Sequence, residues 1–427
     1  MEHANVWTGS QRKTSTRKVS SSKNMLAVPG TGGGENNFLR KFSFANWARP
    51  AESDLELQSG AVQLPSTFSP EFHDRDSVAK LRFNYVGNTG MQFCALGFGG
   101  SALGGIFGNV DEAKAIQTVH LALKQGVNYI DTAPWYGDGQ SESILGKALA
   151  SVPRKTFYIG TKVGRYKPAG SNVADMFDFS AERVIRSVDE SLARLSLSYV
   201  DVIQIHDHEF APNVELLLHE TLPALEKIQA SGKARFIGIT GYPVHSLQEI
   251  VQKSAVPIDT VLSYCRYGLF NRDLKDVIPL FKEEGVGVIN AAPTGMGLLT
   301  DEGPQAWHPA PDSLKRVASE AVQYAKEKGV DLAKVAIKYS YRLPDIATTL
   351  VSMARPELVK ANYDACTHPM TEKENAVMHD VVKKFFIPLG RTHWENIEVT
   401  KYWEGMEEAN LVGGFKISDP DEDDGKI

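Results

Sequence analysis

The chain has 427 residues, of which 42% are hydrophobic and 23% charged, with a formal net charge of −6. These values are close to those of ordinary globular proteins, so the chain can bury a sizeable core. The slight acidic balance offers no basic footprint for a nucleic-acid partner, and no apolar run approaches the roughly 18 residues that a membrane helix needs. We therefore expect a globular protein without a nucleic-acid or membrane partner.

Cysteine use points to a reducing compartment. The three cysteines, Cys94, Cys265 and Cys366, are too few for a disulfide framework, and each stands in apolar surroundings that predict a buried thiol. We expect a cytoplasmic protein. A mitochondrial location is the minor alternative, because residues 1–49 carry eight Lys and Arg against two acidic residues and are rich in Ser, as transit peptides are.

Composition divides the chain into three parts. Residues 1–78 join a basic, Ser- and Gly-rich stretch to an acidic, proline-containing linker, and we predict that they are disordered because they offer little apolar surface to bury. Residues 79–390 have the alternating texture of one folded domain. Residues 391–427 form a C-terminal extension with a short acidic tail, which we expect to be solvated.

Eight short β-rich runs alternate with helical patterns in the folded part, as parallel strands with crossover helices require. Helices are predicted to begin after Ser180 and after Asn213, and residues 370–386 predict an extra helix behind the eighth unit. Eight units match an α/β fold of the (β/α)8 TIM barrel type, although a doubly wound open sheet shows the same alternation. The runs are CALGF (94–98), VNYIDTA (127–133), FYIGTKV (157–163), VDVIQIHD (200–207), ARFIGITG (234–241), TVLSY (260–264), VGVINAAP (286–293) and TTLVSM (348–353).

Two short motifs resemble ligand sites but fit them poorly. GFGGSA (97–102) satisfies a relaxed dinucleotide fingerprint, yet the next helix is delayed to Asp111 and no strand-end acid follows at the right distance, so we interpret it as a tight turn lining a pocket. HDHE (206–209) offers two histidines that point to opposite faces of a continued strand, without a third ligand at a suitable spacing. We predict no metal site.

Polar residues at the ends of the predicted strands carry the chemistry. Asp131, Lys162 and His206 end the second, third and fourth runs, and Tyr136 lies in the loop after Asp131. The carboxyl ends of barrel strands face the active-site mouth, so we expect the four to converge. A tyrosine hydroxyl with a pKa near ~10 needs help to act as an acid/base, and the Lys162 ammonium would lower that pKa. Asp131 would hold Lys162 charged, and His206 would position the reacting oxygen. Since none of the four carries electrons, a redox reaction here needs a cofactor.

Several segments resemble the aldo-keto reductases. The signature-like segments are YIDTAPWYGDGQSESILGKAL (129–149), YIGTKVG (158–164) and VDVIQIHD (200–207), joined by GKARFIGITGYP (232–243) and LVSMARPELVKANYDA (350–365). The resemblance runs from Leu96 to near Met370. It implies a TIM barrel, a bound NAD(P)(H), and the catalytic tetrad Asp131, Tyr136, Lys162 and His206, with Tyr136 as the acid/base.

Three further segments are most similar to the L-galactose dehydrogenase branch of that family: LSYCRYGL (262–269), APTGMGLL (292–299) and GPQAWHPA (303–310). The resemblance implies oxidation of the C1 hydroxyl of a sugar to the lactone, with Tyr136 as the base. Trp135 would stack on the sugar or serve as a packing residue at the rim. Two alternatives stay open: an NADPH-dependent carbonyl reductase, and a cofactor-sensing regulatory subunit.

The resemblance also implies cofactor contacts. They are Thr240, Gly241 and Tyr264 at the nicotinamide, Gly297 and Leu298 at the pyrophosphate, Ser352 near the end of the eighth run, and Asn362 at the adenine. The family often has a basic pair at the positions of Ser352 and Leu358. Because the 2′-phosphate of NADP needs such donors, their absence predicts NAD as the more favoured cofactor and NADP as the less favoured one.

Overall fold

A computed structural model of the protein describes residues 64–167 and 171–412. The described strands are β1 (Phe83–Tyr85), β2 (Gln92–Cys94), β3 (Leu96–Gly99), β4 (Tyr129–Asp131), β5 (Tyr158–Val163), β6 (Val200–Ile205), β7 (Ala234–Gly241), β8 (Thr260–Tyr264), β9 (Gly287–Ala291) and β10 (Thr348–Ser352). Strands β3 to β10 are parallel and form a closed barrel, in which β10 pairs with both β9 and β3. The predicted (β/α)8 barrel is confirmed, and each predicted run corresponds to one of its strands.

Helices connect successive strands and cover the barrel from outside. Those that follow β3 to β10 in turn are Glu112–Lys124, Gln140–Leu149, Ala181–Leu195, Leu222–Ala230, Val244–Lys253, Leu274–Glu283, Asp312–Glu327 with Leu332–Tyr341, and Pro356–Thr367. A short helix Arg75–Val78 precedes the barrel. Two helical segments follow the barrel. The first is Glu372–Val381, which continues through the π turn Val382–Phe386 to Ile387–Leu389, and the second is Ile397–Glu408.

Side-chain caps set where the predicted helices begin. Ser180 accepts a hydrogen bond from the backbone N–H of Arg183, and Asn213 accepts one from Leu216, as expected for N-caps. The extra helix behind the eighth unit begins with a capping box between Thr371 and Glu374. These three predicted helix starts are therefore confirmed.

The hairpin of β1 and β2 closes the amino-terminal end of the barrel, and it is a feature that the sequence analysis did not predict. The two strands pair antiparallel, and Phe93 on β2 stacks on Tyr129 at the start of β4 with ring centroids 4.1 Å apart. Asn84 on β1 donates to the carbonyls of Ile346 and Ala347 just before β10. Active-site residues therefore have only the opposite, carboxyl-terminal end of the barrel available.

The folded part begins earlier than residue 79. Val78 is buried, the Thr67 hydroxyl accepts a hydrogen bond from Asn128, and Tyr363 donates to the carbonyl of Ser77. The predicted disordered segment is therefore wrong for residues 64–78, because a few apolar side chains and backbone groups are enough to dock it. Its remainder, residues 1–63, lies outside the described residues, as does the acidic stretch 413–427.

The three cysteines are free and buried, as predicted, and burial raises the pKa of each thiol. Within the described ranges, no helix is both long and apolar enough to cross a bilayer.

Candidate active site

The four predicted site residues meet at the carboxyl-terminal mouth of the barrel. The Lys162 ammonium forms an ion pair with Asp131, donates to the carbonyl of Thr132 at 2.9 Å, and lies 3.2 Å from the Tyr136 hydroxyl. The rings of Tyr136 and His206 meet edge to face with centroids 5.8 Å apart. Since these residues come from β4, β5, the residue directly after β6 and the loop after β4, only the closed barrel brings them together.

Asp131 is held by more than Lys162. Gln204 donates to its Oδ2 at 2.8 Å, and the Tyr129 hydroxyl donates to the same oxygen at 3.3 Å. Sequence analysis missed Gln204, although Gln204 on β6 and His206 directly after it are two residues apart and so point to the same face. The buried carboxylate is thereby fixed through Oδ2, while its Oδ1 faces the Lys162 ammonium.

Two glycines place the loop that carries Tyr136. A Cβ on Gly104 would lie 2.3 Å from the backbone carbon of Tyr136, and one on Gly137 would lie 2.4 Å from the Gly104 carbonyl oxygen. Gly137 also has a φ of 68°, which favours glycine. The turn at residues 97–104 is thus a backbone support for Tyr136, in agreement with its interpretation as a tight pocket-lining turn.

The net pKa shift of Tyr136 differs from the expectation, whereas that of Lys162 agrees with it. Burial raises the pKa of Tyr136 more than the Lys162 ammonium lowers it, so the net direction is upward. Lys162 lowers the pKa of Tyr136 as expected, but it does not set the net direction, because a desolvated phenolate is costly. Burial lowers the pKa of Lys162, but Asp131 and Tyr136 together outweigh it and raise that pKa. The resting pair is an ammonium beside a neutral phenol.

His206 is a neutral imidazole. Burial lowers its pKa to about 3, against the opposing effect of Asp207. Its Nδ1 is buried without a hydrogen-bond partner among the described residues, and its Nε2 lies 3.7 Å from the Asp207 carboxylate. A neutral imidazole can donate or accept a hydrogen bond beside Tyr136 without adding charge to the site.

An ion pair that the sequence analysis missed lies beside His206. Arg165 Nη1 is 2.5 Å from Asp207 Oδ2, and the guanidinium lies 3.8 Å from the centre of the Trp135 ring. Trp135 also meets His206 edge to face at 5.9 Å. Arg165 and Asp207 each lie just beyond a strand end, which is the sequence signal that marks them. Trp135 therefore packs between Arg165 and His206, in agreement with its expected role as a packing residue at the rim.

The C-terminal extension covers this side of the mouth. Tyr402 packs its ring edge against Phe177 and Phe210, with centroids 5.0 and 5.7 Å apart, and Trp394 stacks on Tyr242 at 4.7 Å. These contacts seat the helix Ile397–Glu408 over the loops after β5 and β6. Glu398, in the first turn of that helix, interacts electrostatically with Arg165.

The seven expected cofactor residues lie at or beyond the carboxyl ends of β7 to β10. Thr240 and Gly241 end β7, Tyr264 ends β8, Gly297 and buried Leu298 lie in the loop after β9, Ser352 ends β10, and buried Asn362 is in the helix Pro356–Thr367. The Thr240 hydroxyl accepts from the backbone N–H of Asp207, and Ser352 hydrogen bonds with Ser101 at 2.6 Å. Thr240, Gly241, Tyr264 and Ser352 thus lie at neighbouring strand ends of one rim, while Asn362 lies in the helix behind β10.

His208, the second histidine of HDHE, lies apart from His206. Its Nδ1 is 3.0 Å from the Thr240 carbonyl oxygen and its Nε2 is 2.6 Å from the Ser246 hydroxyl. Both ring nitrogens therefore serve the packing of the loop after β6.

Comparison with known proteins agrees with this geometry. The model of the aldo/keto reductase family matches residues 95–383. The chain belongs to this family. Its members are oxidoreductases that use NAD(P)(H), which accords with four convergent polar residues that carry no electrons of their own.

Curated relatives within the family include sugar dehydrogenases. The chain is 44% identical over 295 residues to L-galactose dehydrogenase of Arabidopsis thaliana, covering 68% of this chain and 89% of the relative. It is 29% identical over 312 residues to D-arabinose 1-dehydrogenase of Saccharomyces cerevisiae, covering 67% and 89%. Among solved structures, an aldo-keto reductase from Bacillus halodurans in its holo form matches with a TM-score of 0.58 at 24% identity, covering 74% of this chain and 98% of that one. The last similarity shows the fold alone.

Proposed function

We propose that the protein oxidises the C1 hydroxyl of an aldose resembling L-galactose to the lactone, with NAD(P) as the hydride acceptor. The observation that carries this proposal is the contact of the Tyr136 hydroxyl with the buried Lys162–Asp131 pair. The identity to L-galactose dehydrogenase supports the sugar as the substrate class.

The residues on the rim of β7 to β10 fit a dinucleotide. Tyr264 presents a partly buried aromatic ring at the mouth, suited to a flat heterocycle. Gly297 has a φ of 106°, and a Cβ there would lie 2.8 Å from the Gly303 carbonyl oxygen, so this loop requires glycine at the position expected near the pyrophosphate. Ser352 and Asn362 add uncharged polar groups. When bound, the nicotinamide supplies the two-electron acceptor for the hydrogen on C1.

In this reaction Tyr136 accepts the proton of the C1 hydroxyl. Lys162 makes that possible, because its ammonium stabilises the phenolate through the 3.2 Å contact. Asp131, fixed by Gln204, keeps Lys162 charged and aimed at the phenol oxygen. His206 holds the substrate oxygen by a neutral hydrogen bond, and Trp135 lies beside it as a surface for the sugar.

We favour NAD over NADP. Ser352 at the end of β10 and Leu358 in the first turn of the next helix stand where two cations would bind a 2′-phosphate, and Arg355 at the helix start is exposed to solvent. One solvated guanidinium contributes about 1 kcal/mol, too little for a strong NADP preference.

The test is to incubate the protein with NAD or NADP and a panel of neutral aldoses, following reduced nicotinamide by absorbance and the lactone by chromatography. The proposal expects NAD-dependent oxidation of at least one aldose. Carbonyl reduction with NADPH and no aldose oxidation would instead establish a carbonyl reductase, and cofactor binding without any turnover would establish a sensing role.

A further inference from the structure

Asp207, the residue directly after His206, places its carboxylate beside the imidazole. The Asp207 backbone has a φ of 50°, in the left-handed region that few residues other than glycine adopt. With this turn, Asp207 Oδ2 lies 3.7 Å from His206 Nε2. The Thr240 hydroxyl fixes the turn, because it accepts a hydrogen bond from the Asp207 backbone N–H at 3.1 Å. A left-handed residue held in this way indicates that the site requires its side chain in this position.

Arg165 binds the Asp207 carboxylate and fixes it in place. Its Nη1 lies 2.5 Å from the same oxygen, Oδ2, and the Asp207 side chain is only 4% exposed. Burial would raise the pKa of Asp207, but its interactions with His206 and Arg165 outweigh burial, so the net direction is downward. The guanidinium itself lies 3.8 Å from the centre of the Trp135 ring and 5.3 Å from that of Phe177. Asp207 is therefore an anion held by a cation that aromatic rings keep in position.

A carboxylate at this distance decides which nitrogen of His206 carries the hydrogen. Because burial lowers the pKa of His206 to about 3, the ring is neutral and has one N–H and one lone pair. A lone pair on Nε2 would be repelled by the Asp207 anion, whereas an N–H there is attracted to it. The separation of 3.7 Å is too long for a hydrogen bond, so Asp207 does not occupy that N–H. The Nε2–H stays available as a donor.

The second ring nitrogen of His206 fits the same assignment. Its Nδ1 is buried and has no hydrogen-bond partner among the described residues. A buried N–H without a partner is rarer in proteins than a buried acceptor without one, so a lone pair is favoured at Nδ1 over a hydrogen. Both nitrogens therefore indicate one tautomer, with the hydrogen on Nε2.

We propose that Asp207 and Arg165 are positioning residues that keep the hydrogen of His206 on Nε2, so that His206 donates to the oxygen on C1 as this oxygen becomes a carbonyl. This inference rests on the proposed sugar oxidation and deepens it. A hydroxyl both donates and accepts and could bind either tautomer, whereas a carbonyl oxygen only accepts. The pair therefore acts on the transition state more than on sugar binding. Asp207 neither gains nor loses a proton in the reaction.

Nitrogen NMR of protein with isotope-labelled histidine measures the tautomer, because a ring nitrogen with a hydrogen and one with a lone pair differ widely in chemical shift. His206→Asn identifies the signals that belong to this ring. The wild type should carry the hydrogen on Nε2. Asp207→Asn replaces the anion by a neutral amide, so that preference should weaken or reverse. A wild type with the hydrogen on Nδ1, or an unchanged tautomer in Asp207→Asn, overturns the proposal.

Kinetics show whether the tautomer matters to the reaction. Asp207→Asn should lower kcat for the aldose about a hundredfold, while KM and the Kd of the cofactor change by less than about threefold. Asp201→Asn is the matched control, because it removes a buried carboxylate at the start of the same strand β6, where Asp201 pairs with Arg154 and Arg235. The control should lower Tm and leave kcat unchanged within about twofold. A kcat of Asp207→Asn within about threefold of the wild type overturns the proposal.

A second variant covers the case in which Asp207→Asn does not fold. That variant leaves Arg165 buried without its anion, which is costly. The double variant Arg165→Gln with Asp207→Asn removes both charges and should fold, with the same change of tautomer and the same loss of kcat. A double variant that keeps the wild-type tautomer or the wild-type kcat contradicts the proposal.

Failure of the proposed function is distinguishable from failure of this inference. If the wild type oxidises no aldose, the sugar oxidation is wrong, while the NMR comparison still tests the tautomer. Cofactor-dependent reduction of glyceraldehyde then replaces the oxidation assay, since the same N–H would donate to the aldehyde oxygen. A loss of about a hundredfold in kcat/KM in Asp207→Asn supports the inference, and an unchanged value contradicts it.

Discussion

The Lys162 ammonium lies 3.2 Å from the Tyr136 hydroxyl while it forms a buried ion pair with Asp131. Lys162 thus connects the buried Asp131 carboxylate to the Tyr136 oxygen that would transfer the proton. Because burial still leaves the pKa of Tyr136 above its ordinary value, Lys162 limits the cost of the phenolate and does not abolish it. Two kinetic predictions depend on this balance.

Aldose oxidation should become faster as the pH rises. The base in this direction is the phenolate of Tyr136, and its fraction grows with pH below a raised pKa. We expect kcat/KM to increase by about tenfold or more between pH 6.5 and 8.5. Initial rates at fixed NAD and sugar concentrations measure this, and a flat or falling profile would exclude Tyr136 as the base.

Lys162→Met should abolish oxidation at neutral pH and restore part of it at high pH. Without the ammonium the pKa of Tyr136 rises further, so more alkaline solution is needed to form the phenolate. The loss at pH 7 should be about a hundredfold or more. The profile of kcat between pH 7 and 10 is the measurement, with circular dichroism to show that the barrel is intact. Equal loss at every pH would mean that Lys162 acts only through structure.

Acid should destabilise the protein through buried histidines. Burial lowers the pKa of His206 to about 3 and that of His208 to about 4, both below the ordinary value near 6.5. Between those values the unfolded chain binds protons that the folded chain does not, so stability falls as the pH drops from about 6.5 toward 4. Tm should decrease over this range, and less steeply in His208→Gln. Identical slopes for the variant and the wild type would contradict the assignment.

Cofactor choice depends on the loop after β10. We expect kcat/KM to favour NAD over NADP by about tenfold, or roughly 1.4 kcal/mol. Leu358→Arg, at the start of the helix Pro356–Thr367, should narrow or reverse that ratio by adding a donor for the 2′-phosphate. Ala361→Arg adds the same charge at an exposed position of that helix and should leave the ratio of NAD to NADP activity unchanged. A wild type that already prefers NADP would show that Arg355 binds the phosphate.

Removing residues 64–78 should weaken the fold. The buried side chain of Val78 and the hydrogen bonds of Thr67 and Ser77 join this segment to the barrel. A chain that starts at residue 79 should melt at least about 4 °C below one that starts at residue 64. Equal melting temperatures for the two chains would instead support residue 79 as the start of the folded domain, as composition predicts.

The sequence was sufficient for the barrel and for the residues that converge at its mouth, because both follow from the strand pattern. Eight runs predict eight strands, and polar residues at their carboxyl ends must share one rim. It was insufficient where contacts are distant in sequence. Gln204 contacts Asp131 from another strand of the barrel, and Tyr402 contacts Phe177 and Phe210 from a helix far along the chain, so neither contact is visible in a local pattern.

The net direction of the pKa of Tyr136 was also beyond the sequence. A neighbouring lysine can be predicted from strand ends, but the extent of burial cannot, and burial decides the sign. Likewise, the composition of residues 64–78 resembles that of a linker, although the buried Val78, a few other packed side chains such as Phe72, and several hydrogen bonds fix the segment.

The most direct test of the account is the comparison of Tyr136→Phe with the wild type in NAD-dependent aldose oxidation, with cofactor binding followed by fluorescence. The variant keeps the ring beside His206 and removes only the hydroxyl that Lys162 contacts. Tyr85→Phe, at a position 67% exposed, serves as the control. The account predicts unchanged cofactor affinity and less than about a thousandth of the wild-type kcat. A variant that retains more than about a tenth of that rate would contradict it.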